Sequence, residues 1–191
     1  MSAQVNLFTM KKWMFFLGLL LIAGWANAQI QLAKLQASGL TCAMCARAVY
    51  KNLEALPFVK SIDTDLNGSA FLLSFNEKPV DPDAIRKKVE DAGFSVADLV
   101  LTARFEPTTI EADKHIDLQG LMFHFVGVRK SELNGLHNIR LVDRNFIPAK
   151  EAKKVQGLTK LACYNTGVMG DCCNNKAASV PRRVYHLMLA P

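Results

Sequence analysis

Residues 39–57 read GLTCAMCARAVYKNLEALP, with Cys42 and Cys45 at the head of an apolar period. Cys45, Val49, Leu53 and Leu56 recur at spacings of four, four and three, which lines them along one face of a helix. Pro57 stops that helix, because proline donates no backbone hydrogen bond and disfavours helical geometry in the residue before it. Upstream, Ile30, Leu32 and Leu35 form a short apolar run ending at Ser38-Gly39, which reads as a first strand closed by a turn. The cysteines therefore fall where a strand hands over to a helix, with Cys42 in the loop and Cys45 in the first turn. A helix N-terminus offers unpaired N–H groups and the positive end of a dipole, and both favour thiolate over thiol.

Downstream, two strands are expected on either side of Asn67-Gly68, a dipeptide suited to a tight hairpin. In the second of them Phe71, Leu73 and Phe75 alternate onto one face. A second helix follows with clear punctuation. Asp81 is its N-cap, Pro82 its first residue and Gly93 the left-handed position after its end, while Ile85, Val89 and Ala92 form its buried stripe. A last strand runs from Val96 to Phe105, with Leu99, Leu101, Ala103 and Phe105 on one face. The fold class is α+β, and the order β-α-β-β-α-β over residues 29–105 is the ferredoxin-like arrangement.

Two soft thiolates with no nearby third cysteine or histidine suit an ion content with two ligands. Cu(I) leads on that chemistry and Hg(II) follows, whereas structural zinc ordinarily takes four protein ligands. Residues 31–105 resemble the heavy-metal-associated domain, the family of copper chaperones, metal-ATPase N-terminal domains and the periplasmic mercury-binding protein. The family pattern Gly-Met-Thr-Cys-x-x-Cys stands here as Gly39-Leu40-Thr41-Cys42-Ala43-Met44-Cys45, with Gly93-Phe94 after the second helix. Leu40 replaces the family's methionine, and Pro57-Phe58-Val59 stands where many members have a glycine before valine. The resemblance implies that Cys42 and Cys45 are the metal ligands, that Phe94 neighbours the metal loop and that Leu40 packs beneath it. It implies a metallochaperone-like exchange with a metal-donor or metal-acceptor protein. Two alternatives use the same residues differently. A Cys-x-x-Cys pair in an oxidising compartment also serves thiol–disulfide chemistry, or the protein is an interaction module working through its C-terminal part.

Near its start the 191-residue chain carries, after ten residues without side-chain charge, Lys11-Lys12, an apolar run from Trp13 to Trp25, and Ala26-Asn27-Ala28. Those are the parts of a secretory signal peptide, so residues 1–28 are expected to be removed after Ala28 and the protein to be periplasmic or secreted. The apolar run is shorter than the roughly twenty residues a membrane helix needs, and no stable span is expected after cleavage. Residues 29–103 carry 8 basic and 9 acidic side chains, and residues 104–191 carry 13 and 8. That mild surplus reads as solvated surface, and nucleic acid is not an expected partner of an exported chain.

Residues 106–191 read as a strand-rich second domain, with a small barrel of the oligonucleotide/oligosaccharide-binding type as the expected architecture. Ile116–Val128 reads as one long strand or two bent at Gly120, Leu133-Asn134-Gly135 as a turn, and Asn138–Asp143 as a strand. Residues 148–156 read as a short helix, Tyr164–Ala177 as a loop and Arg183–Leu189 as a final strand. Cys163 is expected to pair in a disulfide with either Cys172 or Cys173; the alternatives are a second soft-metal site of these three thiols, with or without Met169 or His186, and free thiols. His115, His124, His137 and His186 have no ligand-like spacing, and His124 and His186 fall in strand-like runs suited to packed histidines. No Ser/His/Asp grouping, phosphate loop or carboxylate pair calls for an enzyme.

Overall fold

The computed structural model describes residues 29–65, 68–170 and 182–190. The expected signal peptide, Asn67 of the hairpin turn, Cys172 and Cys173 lie outside the described residues. Eight strands form one sheet in the order β2-β3-β1-β4-β7-β8-β6-β5. They are β1 (Gln29–Ser38), β2 (Val59–Asp65), β3 (Ala70–Phe75), β4 (Ser95–Ile110), β5 (His115–Leu118), β6 (Leu121–Phe125), β7 (Ser131–Leu141) and β8 (Val184–Leu189). Neighbours run antiparallel except β6 and β8, which are parallel.

The first half follows the expected β-α-β-β-α-β order. Helix α1 (Ala43–Glu54) buries Ala46, Val49 and Leu53. Helix α2 (Pro82–Asp91) buries Pro82, Ile85 and Val89, and Asp81 caps it by accepting from the Asp83 and Ala84 N–H groups at 2.9 and 3.2 Å. Both helices share a hydrophobic cluster with Leu35, Phe71, Leu73, Leu99 and Leu101. Leu32 is exposed despite its place in the apolar run, because a register irregularity between Ile30 and Leu32 turns it to the other face.

Strand β4 is longer than the sequence suggests and runs through residue 105. It pairs with β1 along its first part and with β7 from Val100 to Ile110, so the C-terminal strands extend the first sheet. The same hydrophobic cluster continues across it to Phe123, Phe125, Ile139, Phe146 and Leu187. A separate small barrel is not what the described strands form, since the sheet order starts at β2 and ends at β5. The physical reason is the free edge of β4, whose backbone groups β7 satisfies.

Asn134-Gly135 is also not a turn. Phe105 pairs with Gly135 and Thr108 with Leu133, so Glu106 and Pro107 on β4 oppose Asn134 alone. Pro107 cannot donate to the ladder, and the irregularity is absorbed beside Gly135 at φ +82°. The real reversal lies at Gln119-Gly120, whose φ angles of 54° and 79° fit a two-residue hairpin between β5 and β6.

Helix α3 (Ala149–Gln156) and the single turn α4 (Cys163–Thr166) cover the far end of the sheet. A second cluster there contains Val126, Val142, Ile147, Ala152, Val155 and Tyr164. The Tyr164 hydroxyl donates to the carbonyls of Val142 and Ala152 at 2.9 and 3.2 Å. Charged ties link the two halves. Arg183 donates to Asp83 of α2 at 2.9 Å and to Asp143 at 3.3 Å, and Arg140 of β7 donates to Asp98 of β4 and Glu151 of α3.

Adjacent residues of β3 provide a test of this layering. Phe71 is fully buried, whereas Leu72 is 46 % exposed on the opposite face. Phe71→Ala should lower the unfolding free energy by about 3–5 kcal/mol through lost burial and a cavity. Leu72→Ala should stay within about 0.5 kcal/mol. Urea denaturation of the two variants measures both.

Candidate metal centre

The loop between β1 and α1 begins at Gly39, whose φ of +82° suits a residue without Cβ. A Cβ built there would lie 3.8 Å from the Phe94 ring, so Phe94 sits directly against the loop. Leu40 and Phe94 are partly buried and both pack on the main cluster. Leucine thus fills the packing place that the resemblance assigns to this position, and the loop rests on an apolar floor.

Cys42 is the N-cap of α1, with extended backbone at φ −148° and ψ 158°. Its Sγ accepts from the Cys45 N–H at 3.4 Å, and the two Sγ atoms lie 2.8 Å apart. The structure therefore brings together the two cysteines expected from the sequence. Their local settings differ. Hydrogen bonding from the Cys45 thiol, then from the Cys45 backbone, holds Cys42 below the ordinary thiol value, while the same contact and partial desolvation push Cys45 up. The first thiolate is thus centred on Cys42. Met44, between them, is 74 % exposed, and a shallow depression beside Cys42 is lined by Leu40, Thr41, Ala46, Thr64 and Phe71. The site is a rim, open to an incoming protein surface.

Residues 34–95 match the family model of the heavy-metal-associated domain. A probable copper-exporting P-type ATPase of Archaeoglobus fulgidus is 31 % identical over 61 residues, which is 32 % of this chain and 8 % of that protein. The chain thus spans a small fraction of the length of that curated relative. Among solved structures, a yeast copper transporter domain shares 27 % identity, covering 35 % of this chain and 90 % of that one, with a TM-score of 0.32. The N-terminal domain of a potential copper-translocating P-type ATPase from Bacillus subtilis shares 20 %, covering 36 % and 85 %, with a TM-score of 0.33. Residues 34–95 thus form a segment of the heavy-metal-associated domain family. The match covers that segment and leaves β5 to β8 outside it.

The remaining described cysteine, Cys163, lies elsewhere. Strand β1, which leads into the Cys42 loop, is four places along the sheet from β6, against which Cys163 packs. At the spacing of neighbouring strands that is on the order of 19 Å, too far for one ion to join them. The histidines, without pattern in the sequence, are brought together by register. His115 pairs with His124 across the hairpin, and His124 pairs with His186 across the parallel β6–β8 ladder. A hairpin centred on Gln119-Gly120 places positions 115 and 124 opposite each other, so recognising that turn would have found the first pair. His137 stands apart, its Nε2 beside the Asn134 backbone and its ring edge-on to Phe105. Burial, and then the nearby His186, pushes His124 down to about 4 and lowers His115 as well.

The opposite shifts of the two exposed thiols give a measurable order. Under limiting alkylation of the reduced protein at neutral pH, Cys42 should be modified before Cys45, because the thiolate is the nucleophile. Peptide mass mapping of the singly labelled product reads which site reacts first.

Proposed function

We propose that this protein captures a soft metal ion, Cu(I) in preference to Hg(II), at Cys42 and Cys45 and passes it to a partner by ligand exchange. The observation that carries this reading is the pair of Sγ atoms 2.8 Å apart at the exposed N-terminus of α1. Two thiolates suit a low-coordinate soft ion. A site on a rim, flanked by the exposed apolar Met44, leaves an approach for a third sulfur from another protein. In this reading the chain is a carrier and not a catalyst, and its partners are metal-donor or metal-acceptor proteins. The family match of residues 34–95 and the likeness to a probable copper-exporting ATPase support the choice of copper.

The compartment in this proposal is extracytoplasmic, on the Lys11-Lys12, Trp13–Trp25 and Ala26-Asn27-Ala28 pattern of the N-terminal segment. Among the described residues no helix is long and apolar enough to cross a membrane. Expression in a bacterial host with an export pathway should yield a periplasmic product whose N-terminal residue is Gln29. Intact mass and N-terminal sequencing check it.

The same thiol proximity favours a second reading, in which Cys42 and Cys45 cycle between dithiol and disulfide. A competition titration of the reduced protein with Cu(I) against a chromophoric chelator separates the two. Carrier function predicts that the wild type binds one Cu(I) more than the Cys42→Ser/Cys45→Ser variant; equal uptake by the two sinks the assignment. The redox reading predicts disulfide-exchange activity with a small disulfide substrate, which a carrier does not need.

A further inference from the structure

The geometry points to a second metal site, buried at the far end of the sheet, in which His115, His124 and Cys163 hold one transition-metal ion of the copper–zinc class. Their donor atoms all lie within 4.8 Å of one another. Cys163 Sγ is 3.5 Å from His124 Nδ1 and 3.8 Å from His115 Nε2. Two bonds of about 2.0 Å to nitrogen and about 2.3 Å to sulfur, opened to 120°, span roughly 3.7 Å. The sulfur–nitrogen separations therefore already suit an ion placed between them.

The surroundings match what a metal-bound histidine requires. A ligating imidazole ordinarily donates its other N–H to a carboxylate, a backbone carbonyl or a water, which fixes tautomer and orientation. His124 Nε2 is 3.0 Å from Asp113 Oδ1, an oxygen that also accepts from Thr159 at 2.6 Å. With the proton on Nε2, the Nδ1 lone pair faces Cys163. The histidine row continues to His186, whose ring stands edge-on to His124 with centroids 4.9 Å apart. Asp143 accepts from both the backbone N–H and Nδ1 of His186 at 2.9 Å. His186 Nε2 is fully buried and has no hydrogen-bond partner among the described residues.

A nucleophile–base–carboxylate relay of Cys163, His124 and Asp113 would share this geometry, but both the thiol and the His124 ring are fully buried. Burial blocks attack on a substrate and favours retention of an ion. The donor set of two imidazoles and one thiolate selects the copper–zinc end of the first-row series over harder ions. Such an ion would tie α4 to the β5–β6 hairpin, far from Cys42 and Cys45.

The test uses the Cys42→Ser/Cys45→Ser variant of residues 29–191, reduced, metal-free and anaerobic, with Co(II) as probe. One equivalent of Co(II) should produce a thiolate-to-cobalt charge-transfer band, which Zn(II) bleaches by displacement. X-ray absorption of the cobalt-loaded sample should show a shell containing both imidazole nitrogen and a single sulfur. Cys163→Ser in the same background should abolish the band. Asp113→Asn, a change at a half-exposed side chain, should weaken Co(II) binding by about 10–100-fold while leaving the thermal melt of the apoprotein in place. Absence of the band, its survival in Cys163→Ser, a shell of sulfur alone, or Cys163 recovered in a disulfide from the native protein would each overturn the site. The X-ray absorption result needs no disruptive variant, so a Cys163→Ser protein that fails to fold leaves the proposal testable.

Discussion

Strand β4 carries hydrogen-bonded neighbours on both edges, β1 along one and β7 along the other, and the rest of the molecule hangs on that double pairing. Its inward residues Leu99, Leu101 and Ala103 are fully buried, so the strand is the middle of a shared core. A ferredoxin-like unit alone would leave this edge as a row of unsatisfied N–H and C=O groups, an invitation to pairing with another chain. Here β7 takes that edge, and β8, β6 and β5 follow from it. Arg183 and Arg140 reinforce the seam, because each donates to carboxylates on both sides of it. Removing Arg140 would take the paired guanidinium from Asp98 and Glu151, and removing Arg183 would take it from the buried Asp143 while Asp83 keeps Arg86.

The sheet so formed carries two groupings of soft donor atoms with opposite exposures. Cys42 and Cys45 stand on a rim at the N-terminus of α1, where an ion can be approached by another protein's ligands. Cys163 and His124 are sealed between the sheet and α4, and access there requires local opening. The four strand positions between them keep the two groupings from sharing a single ion.

Much of the first half is legible because its signals are local. The Val49–Leu53 spacing of α1, the Asp81-Pro82 start of α2 and the alternation of Phe71, Leu73 and Phe75 each report geometry set within a few residues, although α1 ends at Glu54, short of Leu56, and buries Ala46 where Cys45 was expected. The second half is carried by contacts distant in sequence. Gly135 reads as a turn residue, yet its positive φ accommodates an irregularity whose cause is Pro107 on the opposing strand. The barrel expectation treated the later strands as a closed set, and no local pattern reveals that the outer edge of β4 is available to them.

Residue order alone specified the strand-to-helix placement of Cys42 and Cys45, because a cap, a dipole and a three-residue spacing operate over one helical turn. The resemblance to the family pattern further implied that Leu40 would pack beneath the loop and that Phe94 would neighbour it. The histidine row was settled elsewhere. His115, His124 and His186 become neighbours through one hairpin register and one parallel pairing, and Cys163 joins them only when α4 packs onto that face. Register across a sheet depends on which edges meet, a property of the assembled strands that no window of neighbouring residues contains.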